Sequence, residues 1–548
     1  MIMESLAAEE ETTLASRPPL MTAVLALALG FFASYGEMIL RLLQGKDIVD
    51  AVWPHAVRSL EWTMALRSSM EGVLLFVMFI VSSAYLVRKR LAREASPRIR
   101  LTMYFLIGLT FGSTTIHFLM DVFYLRGAFL LLPTLFGVIL VSLLLALSGM
   151  PTIREMGQQR IAWPRILHLC GVFFAAWLIV PGVPALIGFA PSPPDAPVIG
   201  YGAAPGPFDT VQFSEAYEMP EEVKAVQGEL EDDITFSVYL TLPLIAEDKG
   251  VESIPLAILL HGFGYPDADA YQDWMKHLAA KGMAVALLQY PSDLRPDGHE
   301  DFEATDLGGE SDFLQHTYRD VAIRAAIEHL NLMTMQAPRH AEVNAHLGDI
   351  NVNPSDLWVG GHSLGAAYTF ITLDDVLSRG WANHSLVVAL EAPASRPAQA
   401  SLQPNLTNLP EQTLVQIGVS RDDMSVGVCP GAFFQQMFPQ LPTERNQLIE
   451  VQSDKYGFPR LIASHYLQAD PAHDTLSDWS FYRRIDAQAD FIVAQSRGDT
   501  FTADWAYQYL TDETMLTQMG KWSDGTPVLP LKLYHDGLNT SSDFNDCS

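Results

Sequence analysis

The first 190 residues are dominated by long apolar runs that are nearly free of charge. The runs cover residues 20–43, 70–87, 101–120, 128–148 and 166–189, and Glu37 and Glu71 are their acidic residues. Each run is close to the roughly 20 residues that a helix needs to cross the hydrocarbon core of a bilayer. Buried helices of a soluble core explain the runs poorly, because the runs are long and clustered. The pattern predicts an all-α transmembrane bundle of about five helices over residues 1–190.

After residue 190, short apolar strands alternate with amphipathic helices. Strands are predicted at 236–242, 254–260, 283–288, 356–360, 386–390, 413–418 and 448–451, and helices at 270–281, 315–332 and 366–373. Continuous apolar runs such as 254–260 are typical of strands that are buried on both faces of a sheet. The alternation of strands and helices predicts an α/β domain with a doubly wound, mostly parallel sheet.

Proline and glycine mark the boundary between the two regions. Residues 191–207 are rich in both, as is typical of a linker. We therefore expect a transmembrane region at 1–190, a Pro-rich linker and entry segment at 191–230, and an α/β domain at 231–548. The α/β domain includes cap insertions and a C-terminal tail. Residues 394–410 are either such a cap or an ordinary surface loop.

Basic residues predict how the chain is oriented in the membrane. The loop at 88–100 carries six Lys and Arg residues and the loop at 149–165 carries three. Because positive loops stay cytoplasmic, five spans place the N-terminus inside and everything after Phe189 outside. The loop at 44–69 also carries three basic residues, so the bias is not absolute. An acidic segment precedes the first span, which favours an uncleaved anchor over a signal peptide. The expected location is the cytoplasmic (inner) membrane, multi-pass, with the α/β domain on the periplasmic or extracellular side.

Charge and cysteine content narrow the classes of partner. The 34 basic and 63 acidic residues give a formal net charge of −29, which argues against nucleic acid or anionic lipid head groups as electrostatic partners. The lipid bilayer is the expected partner of the apolar region. Of three cysteines, Cys170 lies in a predicted span, and Cys429 and Cys547 lie where a disulfide persists. The sequence leaves open whether they pair, and no spacing indicates a metal site.

The α/β domain contains a short motif that carries chemistry. Gly361-His362-Ser363-Leu364-Gly365 follows a predicted strand and precedes a predicted helix. Small glycines let a strand turn sharply into a helix, which lifts the serine hydroxyl clear of the backbone. The stretch resembles the Gly-x-Ser-x-Gly nucleophile elbow of α/β-hydrolases, and its alternative is a glycine-rich turn whose serine caps the helix.

A second motif follows the strand predicted at 254–260. His261-Gly262-Phe263-Gly264 occupies the place where esterases of the α/β-hydrolase type supply an oxyanion hole. One backbone N–H comes from this loop and one from the residue after the nucleophile, here Phe263 and Leu364. His261 is expected to be a structural hydrogen-bonding residue rather than the catalytic base.

In this family the order along the chain is Ser, then Asp or Glu, then His. Only His465, His473 and His535 follow the candidate acids, and His465 is preferred because it lies in the loop that leaves the last predicted strand. His473 is interpreted as a polar surface or lid residue. The acid is expected after the strand at 413–418, where Asp423 is preferred and Asp422 is the alternative.

The chain from about residue 236 to residue 525 resembles the serine esterases and lipases of the α/β-hydrolase superfamily. Residues 453–465 resemble the Asp-x-x-Gly-x-Pro…His loop of a bacterial subgroup, and Trp522-Ser523-Asp524-Gly525 resembles its C-terminal end. The resemblance implies hydrolysis of carboxylic esters through an acyl-enzyme, and it supports His465 over His473. The first 190 residues lie outside the resemblance.

We therefore interpret the chain as a membrane-anchored carboxylic ester hydrolase with the triad Ser363, His465 and Asp423 or Asp422. Its substrate is expected to be an ester or lipid-like small molecule, and the chemistry requires no cofactor and no metal. The alternatives are an acyltransferase that uses the same triad and a non-catalytic membrane sensor whose hydrolase-like domain binds a ligand. The sequence leaves the oligomeric state open.

Overall fold

The computed structural model describes three stretches of the chain. The described residues are 20–44, eight residues between Arg98 and Gly112, and 191–547 apart from short gaps at 204, 229–230, 232–233, 247–249, 265, 296–309, 395–404, 424, 455, 458–459, 470–472 and 546. The chain divides into a unit of Met1–Ser192 with Tyr456–Arg460, and a unit of Pro193–Lys455 with Leu461–Ser548. The spans predicted at 70–87, 128–148 and 166–189 lie outside the described residues.

The first predicted span corresponds to two consecutive helices, α1 (Leu20–Ser34) and α2 (Gly36–Leu43), with a turn at Tyr35. Ser34 contributes to this break, because its hydroxyl donates to the Phe31 carbonyl at 2.6 Å and so competes with the backbone hydrogen bonds of the helix. Of the helices that the structure describes, none is both long and apolar enough to span a bilayer. The apolar run at 20–43 is thus divided between two helices.

Glycines bring α1 close to the helical residues between Arg98 and Gly112. A Cβ atom on Gly30 would overlap the backbone of Phe105, and one on Gly108 would overlap the backbone of Leu27. Gly112 lies equally close to Ser34, one turn further along. Gly108 and Gly112 thus form a small-xxx-small pattern, which lets two helix backbones touch. Elsewhere on α1, apolar side chains such as Met21 are exposed.

The second unit is built on one mixed sheet, which has nine strands in the described residues. They are β1 (Thr210–Ala216), β2 (Ser237–Pro243), β3 (Ser253–Leu260), β4 (Ala284–Leu288), β5 (Asn351–His362), β6 (Ser385–Glu391), β7 (Gln412–Ser420), β8 (Asn446–Val451) and β9 (Lys532–Tyr534). Their order across the sheet is β1-β2-β4-β3-β5-β6-β7-β8-β9. Strands β3 to β8 are mutually parallel, whereas β1, β2 and β9 are antiparallel to their neighbours. The sheet is therefore mixed and mostly parallel.

Helices cover both faces of the sheet. In chain order they are α3 (Glu221–Lys224), α4 (Gln272–Ala280), α5 (Glu310–Thr334), α6 (Ala341–Leu347), α7 (Leu364–Ser378), α8 (Cys429–Gln435), α9 (Thr475–Ser477), α10 (Arg483–Arg497), α11 (Thr500–Thr511), α12 (Glu513–Thr517) and α13 (Gly537–Thr540). A π-helical turn, Asp478–Tyr482, joins α9 to α10.

The two hydrophobic layers follow from alternation along the strands. In β3, Ile258 and Leu260 belong to the core cluster that includes α5 and α7, while Leu259 belongs to the cluster with α4 and α10. Successive side chains of a strand point to opposite faces, so a strand that is covered on both sides is apolar at every position. This is why the buried runs were recognisable in the sequence.

Two strands were not predicted, and both lie at the edges of the sheet. Strand β1 lies inside the segment 191–230 that was assigned to the linker, so the sheet begins earlier than expected. Its side chains are only partly buried, and β9 has three residues. Edge strands of this kind lack the long apolar run on which the sequence analysis relied. The predicted linker is held at α10, because the Gly202 N–H donates to Asp486 Oδ2 at 2.7 Å.

The C-terminal tail is tied back to the sheet. Strand β9 pairs with β8, and Cys547 forms a disulfide with Cys429 at the start of α8. The tail therefore completes one edge of the α/β unit. Most of the predicted cap or loop at 394–410 lies outside the described residues, and within the rest Leu406–Asn408 forms a 3-10 turn.

Candidate active site

Ser363 occupies the turn between β5 and α7. Its φ of 56° lies in the left-handed region, where residues other than glycine are strained. The turn needs glycine on both sides, because a Cβ on Gly361 would lie 2.5 Å from the Gly365 carbonyl carbon, and one on Gly365 would overlap the carbonyls of Leu260 and His261. The backbone of Ser363 is held by two further hydrogen bonds, its N–H to Glu391 O at 2.9 Å and its carbonyl from Ala394 N–H at 3.1 Å.

His465 lies next to this serine. It begins a turn that follows the bridge between Asp454 and Leu461, and its ring is buried. The distance from His465 Nε2 to Ser363 Oγ is 2.9 Å. The hydroxyl can therefore donate its proton directly to the imidazole.

Asp423 follows β7 and completes the chain of contacts. Its Oδ2 lies 2.7 Å from His465 Nδ1, and its Oδ1 accepts the N–H groups of Ser425 at 2.8 Å and Val426 at 3.0 Å. Burial alone would raise the pKa of Asp423, but the ring of His465 and these hydrogen bonds together lower it. Asp423 therefore stays ionised and orients the ring so that Nδ1 donates and Nε2 accepts.

Asp422, the alternative acid, makes a backbone hydrogen bond to another loop. Its N–H donates to the carbonyl of Ala463 at 3.0 Å. This bond connects the loop after β7 to the segment that carries His465. Of the two acids, Asp423 is the one that the structure places at the His465 ring.

The loop after β3 lies against the serine. A Cβ on Gly262 would be 3.2 Å from Ser363 Cβ, so only glycine permits this approach without displacement. Phe263, one of the two expected oxyanion donors, follows directly and is partly buried. The other, Leu364, is the first residue of α7, where backbone N–H groups have no acceptor within the helix.

Hydrogen bonds fix this loop on both sides of Phe263. The Gly262 N–H donates to Tyr271 Oη at 2.9 Å, and the Gly264 N–H donates to Ser292 Oγ at 2.8 Å. Ser292 in turn donates from Oγ to Glu231 Oε1 at 2.6 Å. Burial raises the pKa of Glu231 to about 7, although the hydrogen bonds from Ser292 and Asp293 oppose the rise. Sequence analysis missed Glu231 and Ser292, because neither belongs to a motif.

The remaining candidate histidines have other roles. His261 donates from Nδ1 to the Gly262 carbonyl at 2.8 Å and accepts the Tyr290 N–H at Nε2, 3.1 Å away. Burial lowers the pKa of His261 to about 4, so it is neutral and structural. His535 is exposed and lies 3.0 Å from the carbonyl of Thr443.

His473 lies between two carboxylates, Asp273 at 3.0 Å and Asp478 at 2.7 Å. Burial alone would lower the pKa of His473, but these two partners raise it to about 9. The ring is therefore positively charged near neutral pH. It joins α4 to the π-helical turn rather than reaching Ser363.

A buried ion pair lies behind the elbow. Glu391 ends β6, and its carboxylate accepts Arg484 Nη1 at 2.9 Å and Nη2 at 3.0 Å. Both side chains are almost completely buried. Gln468, in the turn that begins at His465, also donates to Glu391 at 3.2 Å. The Glu391 carboxylate thus connects β6, the strand next to the one that carries the elbow, to the His465 turn. In the sequence, Glu391 was visible only as an acidic residue at the end of an otherwise apolar strand.

Asp454 connects the segment 453–465 to the C-terminal segment around Trp522. It pairs through its backbone with Leu461, and its Oδ2 accepts Trp522 Nε1 at 3.0 Å and the Leu529 N–H at 2.9 Å. The base of the loop that leads to His465 is therefore fixed to the C-terminal segment around Trp522.

The residues that are described contain no group of three or more His, Cys, Asp or Glu side chains arranged to hold a metal ion. The chemistry available at this site is that of the Ser363 hydroxyl, the His465 imidazole and the Asp423 carboxylate.

Comparisons with known proteins give likenesses of structure only. No family model matches the chain, and no curated protein matches it. Among solved structures, an esterase from Pseudomonas putida, described as novel and thermostable, is similar at 11% identity with a TM-score of 0.31, covering 64% of this chain and 96% of its own. A mutant of the esterase rPPE is similar at 10% identity with the same TM-score, covering 62% of this chain and 94% of its own.

Removing the charge of Glu391 should destabilise the protein, because Arg484 would remain buried without its counter-ion. We expect Glu391→Gln to lower the free energy of unfolding by about 3–5 kcal/mol. The measurement is thermal and urea unfolding of the full chain in detergent, followed by tryptophan fluorescence.

The matched control is Glu391→Gln combined with Arg484→Met, which removes the unpaired cation. We expect this double variant to be more stable than Glu391→Gln alone. If Glu391→Gln were as stable as the native protein, the ion pair would have no such role.

Proposed function

We propose that this protein is a membrane-anchored serine hydrolase that cleaves carboxylic esters through an acyl-enzyme. The observation that carries the proposal is the chain of contacts from Ser363 Oγ to His465 Nε2 at 2.9 Å and from His465 Nδ1 to Asp423 Oδ2 at 2.7 Å. A serine hydroxyl is a weak nucleophile unless a base removes its proton, and this arrangement supplies the base and its orienting acid.

In the first half of the reaction, Ser363 Oγ attacks the carbonyl carbon while His465 Nε2 takes the hydroxyl proton. The carbonyl oxygen becomes negative and is stabilised by the N–H groups of Phe263 and Leu364, each such donor being worth about 10²–10³-fold in rate. When the bond from carbon to the leaving oxygen breaks, His465 gives its proton to the departing alcohol. Ser363 is then left as an ester of the acyl group.

In the second half, water takes the place of the alcohol. His465 removes a proton from the water, which attacks the acyl carbon and forms a second tetrahedral intermediate. That intermediate releases a carboxylic acid and returns the proton to Ser363. Throughout, the Asp423 carboxylate stabilises the positive His465 ring. The cycle requires no metal or organic cofactor.

The membrane part of the proposal rests on the apolar runs in the first 190 residues. It is supported by the close glycine contacts between α1 and the helical segment around Gly108, which are typical of helix pairs in lipid. The disulfide between Cys429 and Cys547 supports an oxidising location for the α/β unit. We therefore propose that this unit lies on the periplasmic or extracellular side, where lipid-like esters are within reach.

Ser363→Ala should abolish activity, because no other group would form the acyl-enzyme. We expect kcat for a p-nitrophenyl ester to fall by at least about 10⁴-fold. A fluorophosphonate probe should label the native protein and not the variant. Equal labelling of both proteins would exclude Ser363 as the nucleophile, and a native protein without label or turnover would favour a ligand-binding sensor.

The two neighbouring acids provide a matched pair of variants. We expect Asp423→Asn to lower kcat by about 10³–10⁴-fold, because an amide cannot hold the His465 ring in the tautomer that accepts the Ser363 proton. Asp422→Asn should retain kcat within about threefold, because the carboxylate that contacts His465 Nδ1 belongs to Asp423. Steady-state kinetics on both variants test the assignment, and the reverse ranking would make Asp422 the acid.

Anchoring should be visible by fractionation and protease access. We expect the full chain to stay in the membrane pellet after an alkaline carbonate wash, because several apolar spans hold it. Protease added to intact spheroplasts should digest the α/β unit. Recovery of the chain in the wash would contradict anchoring, and protection of the unit would reverse the orientation.

A further inference from the structure

His362 is the residue that precedes the nucleophile, and its side chain contacts two other parts of the site. It ends β5, and its ring is 3% exposed. Its Nε2 lies 2.8 Å from the backbone carbonyl of His465. Its Nδ1 lies 3.1 Å from Tyr271 Oη. The ring thus contacts the backbone of the proposed base on one side and Tyr271 on the other.

The partners determine which nitrogen carries the proton. A carbonyl oxygen only accepts, so the bond to His465 requires a proton on His362 Nε2. In a neutral ring Nδ1 is then an acceptor, and the Tyr271 hydroxyl donates to it. The Tyr271 oxygen in turn accepts the Gly262 N–H at 2.9 Å. Every donor in this series points in one direction, from Gly262 to the His465 carbonyl.

We propose that Tyr271 and His362 are positioning residues that fix the oxyanion loop and the base to one another across the nucleophile. The proposal rests on the proposed function, because it concerns the same triad. The two ends of this relay are Gly262, which directly precedes the donor Phe263, and the backbone of His465. The relay runs next to Ser363, because His362 is the residue immediately before Ser363 in the sequence.

The geometry of ester cleavage explains why such a connection matters. His465 must stay 2.9 Å from Ser363 Oγ in the resting site and must later deliver the proton to the leaving oxygen. The oxyanion donors must lie where negative charge develops in the same step. A displacement of about 1 Å between these groups costs on the order of 100-fold in rate. A buried relay limits that displacement without touching the substrate.

The relay is also electrically neutral, which suits its place beside the base. The ring centroids of His362 and His465 are 4.8 Å apart. Burial, together with the neighbouring His465 ring, lowers the pKa of His362 to about 3, against the opposing influence of the bond to the His465 carbonyl and of Asp423. His362 therefore carries no positive charge that would oppose the charge forming on His465 during catalysis.

The experiment is a double-mutant cycle on kcat with the full-length protein. Tyr271→Phe removes the hydroxyl, and His362→Leu removes both ring nitrogens. We expect each change to lower kcat by roughly 10- to 100-fold with KM changed by less than about threefold. If each costs about 30-fold, independent residues would cost about 900-fold together, whereas members of one relay should cost about 30-fold.

Two further variants separate positioning from general destabilisation. His362→Gln keeps one donor and one acceptor and should recover most of kcat. Tyr217→Phe removes another buried tyrosine hydroxyl. That hydroxyl donates to the Gln289 carbonyl at 2.7 Å and not to a member of the relay, so this variant should leave kcat unchanged. If His362→Leu does not fold, as judged by thermal unfolding, His362→Asn replaces it, because its shorter amide cannot reach both partners.

A phenylboronic acid gives a second readout, because its tetrahedral adduct with Ser363 uses the oxyanion donors. Its affinity should fall in Tyr271→Phe by a factor similar to the loss in kcat. Additive losses in the cycle, or native kcat in either single variant, would overturn the relay while leaving the proposed function intact. A native protein without turnover or phosphonate labelling would instead remove the proposed function, and the relay with it.

Discussion

The site depends on one strained turn, in which Ser363 is held in the left-handed region at the junction of β5 and α7. Such a conformation costs on the order of 1–3 kcal/mol and persists only where the surroundings fix it. Here the fixing groups are the glycines on either side, the backbone bonds to Glu391 and Ala394, and the buried pair of Glu391 with Arg484. Gly418 on the next strand must also be glycine, because any Cβ would meet the Glu391 carboxylate. The strain at Ser363 is therefore supported by contacts that extend across three strands.

Parallel strands explain why residues from distant parts of the chain meet at this turn. The carboxyl ends of β3, β5, β6 and β7 lie at the same edge of the sheet, where open α/β sheets place their binding sites. The loops after β3, β7 and β8 thereby bring Phe263, Asp423 and His465 to Ser363. The side-chain contacts of Asp454 with Trp522 and Leu529 then hold the loop that leads to His465. Each partner arrives from its own loop, so their mutual spacing must be set by contacts between loops.

The sequence predicted those parts of the fold and site that depend on local pattern. The buried strands were visible as apolar runs, and the elbow as glycines around Ser363. Edge strand β1 was missed because its side chains are only partly buried. Glu391, Arg484 and Tyr271 were missed because their roles arise only when separate segments of the chain meet. The choice between Asp422 and Asp423 was also open, because the direction of each side chain depends on the conformation of the loop. The expected spans beyond residue 43 stay predictions.

The histidines show why residue type alone could not assign the chemistry. Buried among backbone carbonyls and hydroxyls, His261 and His362 have pKa values lowered to about 4 and about 3, so each is fixed as a neutral connector. Between two aspartates, His473 has a pKa raised to about 9 and is fixed as a cation. Among the histidines that the structure describes, only His465 combines one carboxylate at Nδ1 with a hydroxyl at Nε2. In the proposed reaction the base must accept a proton from Ser363 and later release it. The His465 ring lies between one carboxylate and that hydroxyl, which is the geometry this role needs, whereas the shifted pKa values of the other three histidines hold each of them in one charge state.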